Sequence, residues 1–165
     1  MKKYEFTGET KEIRLLFRTV TLHRIRATVA FGIVEVGDLG GWIEKEENLS
    51  HEGKAWVWGN AKVWGNAKVC GDAKVCGDAK VFSASHVLVI GAIGSRNDFT
   101  TFYRDKDNEI TVKCGCFLGK IDRFLEKVTQ THGDSKYALV YRAAVEVAKL
   151  QIDLSGEAPK DADEE

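Results

Sequence analysis

The sequence predicts a mainly β protein: a short solenoid of parallel strands with a β-rich N-terminal cap, then an α+β module of a hairpin and two helices. Three observations predict it. Between Gly53 and Phe82 one six-residue unit repeats five times, as GKAWVW, GNAKVW, GNAKVC, GDAKVC and GDAKVF. Before it, residues 4–50 read as short strands broken by glycines. After it, the pattern changes to a hairpin and then to helical spacing.

Within the repeat Gly recurs at 53, 59, 65, 71 and 77, Ala at 55, 61, 67, 73 and 79, and Val at 57, 63, 69, 75 and 81. A degraded sixth unit, SASHVL, follows at 83–88. Units this short stack as turns of a solenoid. Ala and Val lie two apart and point inward, while the Lys between them points out. Gly beside Asn or Asp supplies the permissive backbone of a tight corner. If three hexads make one coil, residues eighteen apart stack: Val57 on Val75, Val63 on Val81 and Val69 on Val87. Two coils at ~4.8 Å per strand give only about 10 Å of stack. So short a stack must be closed by the flanking segments or by another subunit.

The flanks are read in the same way. Residues 1–52 form the cap, with Leu22, Arg24 and Arg26 alternating against His23, Ile25 and Ala27 and breaks at Gly37-Asp38 and Gly40-Gly41. Residues 53–88 are the repeat and residues 89–154 the C-terminal module. There, strands at 87–90 and 99–103 precede a polar turn at 104–109 and a returning strand at 110–114. Ile121, Phe124, Leu125 and Val128 mark one amphipathic helix. Tyr137, Val140, Tyr141, Ala144, Val147 and Ala148 mark a second, with Asp134 as its N-cap. The acidic residues 155–165 read as a disordered tail.

Lys+Arg 24 against Asp+Glu 25 leaves a net charge of -1, so no field favours long nucleic acid or an anionic membrane. No run approaches the ~20 apolar residues of a membrane span, and the N-terminus lacks a signal-peptide core, so a cytosolic chain is expected. In that compartment Cys70, Cys76, Cys114 and Cys116 are read as free thiols.

The Gly-Asn/Asp-Ala-Lys-Val unit resembles the hexapeptide repeat of left-handed parallel β-helix proteins, the fold of many trimeric acyltransferases. It departs from that pattern where Trp58, Trp64, Cys70, Cys76 and Phe82 stand in place of a small residue. The strings LHRIRA at 22–27, GDLGGWIE at 37–44 and ENLSHEG at 47–53 look like phage and prophage hexapeptide-repeat proteins of unassigned function. The strings IGSRN at 93–97, TFYR at 101–104, VKCGCF at 112–117 and THGD at 131–134 resemble a module found behind several bacterial and phage repeats. These resemblances imply a left-handed β-helix and a phage-type accessory protein of the bacterial host cytoplasm. They bring no catalytic residues with them.

Candidate chemistry falls into four groups. His86, at the edge of the repeat, is the one candidate base for acyl transfer from acyl-CoA, although no long loop shapes a pocket beside it. Cys114, Cys116 and His132 form a partial zinc set; packing of the two thiols on a strand face is the competing reading. Large groups facing outward at Trp58, Trp64 and Phe82 predict burial, either beneath the chain's own flanks or at a subunit interface. Ser95, Arg96 and Asn97 at one chain break, His132 at another, and Tyr103, Lys113 and Arg123 nearby suit a phosphate-bearing small molecule. The lysines at 62, 68, 74 and 80 read as a solvated edge.

The expected function is therefore a non-enzymatic, self-associating phage-type binding protein that neutralises a bacterial host factor, either a nucleotide-like immune signal or a defence protein. No cofactor, metal, membrane or long nucleic acid is expected. A hexapeptide-repeat acyltransferase and a structural component of a phage particle stay open as alternatives.

Overall fold

The computed structural model describes residues 1–157 and 159–162. Strands β1 (Tyr4–Arg14) and β2 (Thr19–Ala27) form a long hairpin, kinked where the register shifts between Phe6 and Thr10. Its alternation turns Tyr4, Ile13, Val20, Leu22, Ile25 and Ala27 inward. Strand β3 (Leu39–Ile43) pairs antiparallel with β2 on one edge and parallel with the repeat on the other. The cap is thereby joined to the stack through its backbone.

The hexads supply β4 (Trp56–Val57), β5 (Lys62–Val63), β6 (Lys74–Val75) and β7 (Lys80–Val81). All their pairings are parallel. Val57 stands on Val75 and Val63 on Val81, as the eighteen-residue spacing requires. Ile43 extends the second column above Val63. The third column differs from expectation: Val69 bridges Leu49, while Val87 leaves the stack to pair with Tyr103. Every repeat Ala and Val is buried. The corner glycines adopt positive φ, and two of them also lack room: a Cβ on Gly53 would lie 2.6 Å from the Gly71 carbonyl oxygen, and one on Gly65 2.7 Å from that of Phe82.

Strand β8 (Val87–Ile93) begins a second, antiparallel sheet with β9 (Asp98–Arg104), β10 (Ile110–Cys114) and β11 (Phe117–Lys120), in the order β11-β10-β9-β8. Helices α1 (Ile121–His132) and α2 (Lys136–Gln151) cover one face through Phe124, Val128, Tyr141 and Val145, packed on Phe102, Ile110 and Val112. The other face meets the stack. There Tyr103 belongs to the core of the repeat, its hydroxyl accepting from the Cys76 N–H at 3.3 Å and donating to the Cys76 carbonyl at 3.0 Å. The chain is thus mainly β with two C-terminal helices, and the four-stranded sheet lies between the stack and those helices. No described helix is long and apolar enough to cross a membrane.

Three local expectations need correction. Ser135, not Asp134, is the N-cap of α2, and Asp134 is fully exposed with Arg142 at 3.7 Å. The lysine ladder is split: Lys68 is exposed, Lys74 is half-buried, and Lys62 and Lys80 are buried. Their charge is met by the tail that was expected to be disordered. Among its described residues, Asp161 bridges Ile13, and the Ala162 N–H donates to the Glu12 carbonyl at 2.9 Å. The Asp161 carboxylate lies 3.0 Å from Lys62 Nζ. An open β1 edge and two stacked cations give the acidic tail a place to bind.

Candidate functional site

A cavity of about 160 Å³ lies between the β8–β9 turn, the β10–β11 turn and the two helices. Sequence parity explains the inner wall. Thr100 and Cys114 share the helix-facing side of the sheet with Phe102 and Val112, so they point into the cavity. The Thr100 hydroxyl donates to Cys114 Sγ at 3.4 Å. At Gly94 the chain approaches α2 so closely that any side chain would run into the Tyr141 hydroxyl. At the β10–β11 turn, Arg96 Nη1 lies 2.8 Å from where a Cβ on Gly115 would stand. The guanidinium therefore lies across the hairpin tip.

The floor is aromatic. Phe124 packs edge-on to Tyr141 at 5.7 Å and tilted against Phe117 at 5.4 Å between ring centres. His132 stacks on Tyr141 at 5.7 Å. Polar groups ring the mouth: Ser95, Arg96 and Asp98 from one side, Lys127, Thr131 and His132 from α1. Burial raises the Tyr141 phenol above its ordinary range, with Cys114 acting in the same direction and Arg96 against it. Tyr141 thus stays a neutral donor at physiological pH. The arrangement can seat a small ring on Phe124 and Tyr141 while cations at the rim hold an anionic substituent.

Of the residues expected to bind, Ser95, Arg96 and His132 are brought together here. Asn97 lies outside, at the tip of its turn with φ 48°, its N–H donating to the Gly94 carbonyl. Tyr103 and Lys113 sit on the opposite face of the sheet, one register step from the cavity wall. Tyr103 is enclosed, its phenol pushed up by burial, and Lys113 Nζ is held at 2.7 Å by the Gly115 carbonyl. Arg123 is exposed on α1, away from the cavity. Sequence reasoning missed Lys127, although it lies five positions before His132 on the same helix. It took Tyr141 only as core.

No family model matches the chain, and no curated protein does so either.

Of the other candidate centres, His86 resolves as packing. His86 is 2% exposed; its Nδ1 accepts the Phe82 N–H at 3.1 Å and its ring packs edge-on against Phe82. Burial and the adjacent Arg104 depress its pKa to about 4, so it is a neutral anchor sealed from solvent and not a base at a cleft. Cys114, Cys116 and His132 line one cavity, but among the described residues no group of three His, Cys, Asp or Glu is placed to hold a metal ion. All four cysteines are free. Trp64 is 2% exposed and stacks on Phe82 at 4.9 Å, beneath Ile13, Val20, Leu22 and Trp42. The chain's own hairpin therefore covers Trp64, while Phe82 and Trp58 stay half-buried, Trp58 at a second hollow beside Lys54 and Lys74. Asp105 is fully engaged: Oδ1 accepts the Asp107 and Glu109 N–H groups, and Oδ2 accepts Thr111 Oγ1 and Lys120 Nζ.

Proposed function

We propose that the chain is a non-enzymatic, self-associating binding protein of phage type, acting in the bacterial host cytoplasm, whose C-terminal cavity captures a small anionic ligand carrying a planar ring. In this reading the hexads form a short left-handed parallel β-helix that serves as a spine. The parallel columns of Val57 on Val75 and Val63 on Val81 support that spine. The phage character and the host role, neutralising a nucleotide-like immune signal or a defence protein, rest on the sequence resemblances.

One observation carries the binding reading: Arg96 and Lys127 stand at the rim of a cavity floored by Phe117, Phe124 and Tyr141. Its size narrows the ligand. A volume of about 160 Å³ is close to that of an engineered cavity that holds benzene, and well below the ~300–1,000 Å³ that encloses drug-sized molecules. One base or one sugar–phosphate end fits inside. A dinucleotide or a partner protein would insert one group and leave the rest outside.

The test is mass spectrometry of the purified protein, native and then denatured, followed by a thermal-shift panel of nucleotides. A co-purifying phosphate ester, or a shift lost in Arg96→Ala, supports the reading. A ligand retained unchanged by Arg96→Ala places binding elsewhere.

A further inference from the structure

The first hexad breaks the rule of the other four. Each of those has Asn or Asp after its glycine and Lys before its valine, whereas GKAWVW has Lys54 and Trp56 at those places. The eighteen-residue register then sets Lys54 over Asp72, its N–H donating to the Gly71 carbonyl at 3.0 Å, and Trp56 over Lys74. Lys54 and Lys74 thereby line the same hollow as Trp58, a space of about 340 Å³.

Its walls are fixed before any ligand arrives. The turn at 31–34 is closed by two backbone bonds, Phe31 N–H to the Val34 carbonyl at 3.0 Å and Val34 N–H to the Phe31 carbonyl at 2.8 Å. At its tip, a Cβ on Gly32 would stand 3.8 Å from the Cβ of Lys54, so the lysine stem runs along the turn. The Lys74 N–H donates to Thr101 Oγ1 at 3.0 Å, which ties that strand to the second sheet.

The functional groups in this hollow are not engaged by the chain. Among the described residues neither Lys54 Nζ nor Lys74 Nζ makes a hydrogen bond or an ion pair, unlike Lys3, Lys62, Lys113 and Lys120. Phe31 is already taken, with Lys3 Nζ 4.6 Å from its ring centre and Trp56 edge-on at 5.3 Å. Trp58 has no ring partner among the described residues and stays half-buried. Asp72 and Asp98 complete the lining; Asp98 Oδ1 accepts the Phe99 N–H at 2.7 Å, and the charge of Asp72 reaches Lys3 without forming an ion pair.

Each group selects part of a ligand. Two ammonium groups suit a phosphate, and an indole suits a planar base. A carboxylate suits sugar hydroxyls, as an acidic residue holds ribose in dinucleotide sites. A simple aryl phosphate would meet the two carboxylates with no hydroxyl to donate. The volume falls within the ~300–1,000 Å³ of sites that enclose a whole small molecule, which the C-terminal cavity does not.

We propose that the hollow at Trp58 is a second ligand site, which takes a nucleoside monophosphate whole. The base stacks on Trp58, the phosphate meets Lys54 and Lys74, and the sugar hydroxyls meet Asp72 and Asp98. This goes beyond the C-terminal cavity and does not depend on it. Trp58, expected at a subunit interface, becomes a stacking platform instead.

Tryptophan fluorescence reads this site directly, because Trp42, Trp56 and Trp64 are buried and Trp58 alone of the four is half-buried. Titration of the full chain with the four nucleoside 5′-monophosphates should give saturable quenching with at least one of them. Lys54→Ala/Lys74→Ala should weaken that affinity roughly tenfold or more, since two charge-assisted contacts are lost. If the double variant melts lower, Lys54→Glu carries the test, because Lys54 is exposed: weaker affinity supports the site and unchanged affinity overturns it. The matching nucleoside, without phosphate, should bind more weakly; equal binding overturns the assignment. No quenching by any of the four at millimolar concentration also overturns it. So does quenching that Arg96→Ala abolishes and the lysine variants keep, which would place the ligand in the C-terminal cavity. That cavity is judged separately, by the thermal shift.

Discussion

Lys62 Nζ lies 3.0 Å from an Asp161 carboxylate oxygen, and the two side chains are only 9% and 8% exposed. Lys80, stacked on Lys62 by the parallel register, places its Nζ 3.7 Å from the other oxygen of the same carboxylate. One late acidic residue thus serves two cations that the repeat presents and the tail covers.

Removing that carboxylate strands the lysines. Breaking a buried ion pair costs about 3–5 kcal/mol when the remaining charge stays buried, and less when it can reach water. Because the tail can lift away and let the lysines hydrate, Asp161→Ala is expected to cost about 1–3 kcal/mol in urea unfolding. Lys62→Met/Lys80→Met/Asp161→Leu, which removes all three charges, should recover much of that loss. A triple variant as unstable as Asp161→Ala would mean that the carboxylate matters for something besides charge.

The corner glycines separate two kinds of cost. Gly65 and Gly71 have nearly the same backbone, with φ of 61° and 64°. A Cβ on Gly65 meets the Phe82 carbonyl oxygen at 2.7 Å, whereas one on Gly71 meets nothing within 4 Å. Gly71→Ala should therefore cost only the left-handed penalty, about 1–2 kcal/mol. Gly65→Ala should cost clearly more, because backbone must also move. Equal losses in chemical denaturation would remove the steric part of the argument.

His86 predicts a pH dependence. Its folded pKa is depressed to about 4 from an ordinary 6.5, so between those values the unfolded chain binds a proton that the folded chain refuses. Stability should accordingly fall as pH drops from about 6.5 toward 4, by no more than about 3 kcal/mol from this group. Burial drives the depression and Arg104 adds to it. His86→Phe, which keeps a ring against Phe82, should flatten that part of the profile. A wild-type curve already flat over this interval would contradict the burial.

Much of this fold is written locally. The period of six placed Val57 on Val75 and Trp64 on Phe82, because stacking needs only a count along the chain. Helical spacing likewise placed Phe124 and Val128 in the core. What the sequence did not disclose depends on distant partners. Nothing near Lys62 announces Asp161, and nothing near Trp64 announces the hairpin that covers it. The site was partly legible: Ser95, Arg96 and His132 sit at chain breaks, where function concentrates. Lys113 and Tyr103 were misplaced by a rule already in view, since a residue next to inward Val112 or Phe102 must face the other way.

That opposite face gives the last prediction. The Tyr103 hydroxyl is one link between the second sheet and the repeat, beside Thr101 Oγ1, which accepts the Lys74 N–H at 3.0 Å; it satisfies both the N–H and the carbonyl of Cys76 in a buried setting. Tyr103→Phe keeps the ring and its packing but leaves two backbone groups without their partner. Each unsatisfied buried group costs about 1–3 kcal/mol, and small relaxations offset part of that, so a loss of about 2 kcal/mol is expected in denaturant unfolding. Hydrogen exchange at the Cys76 amide should accelerate more than exchange at Val63, whose strand lies elsewhere in the stack. Uniform acceleration would show that the hydroxyl supports the fold as a whole; no acceleration at Cys76 would show that the contact between the two layers does not depend on this hydroxyl.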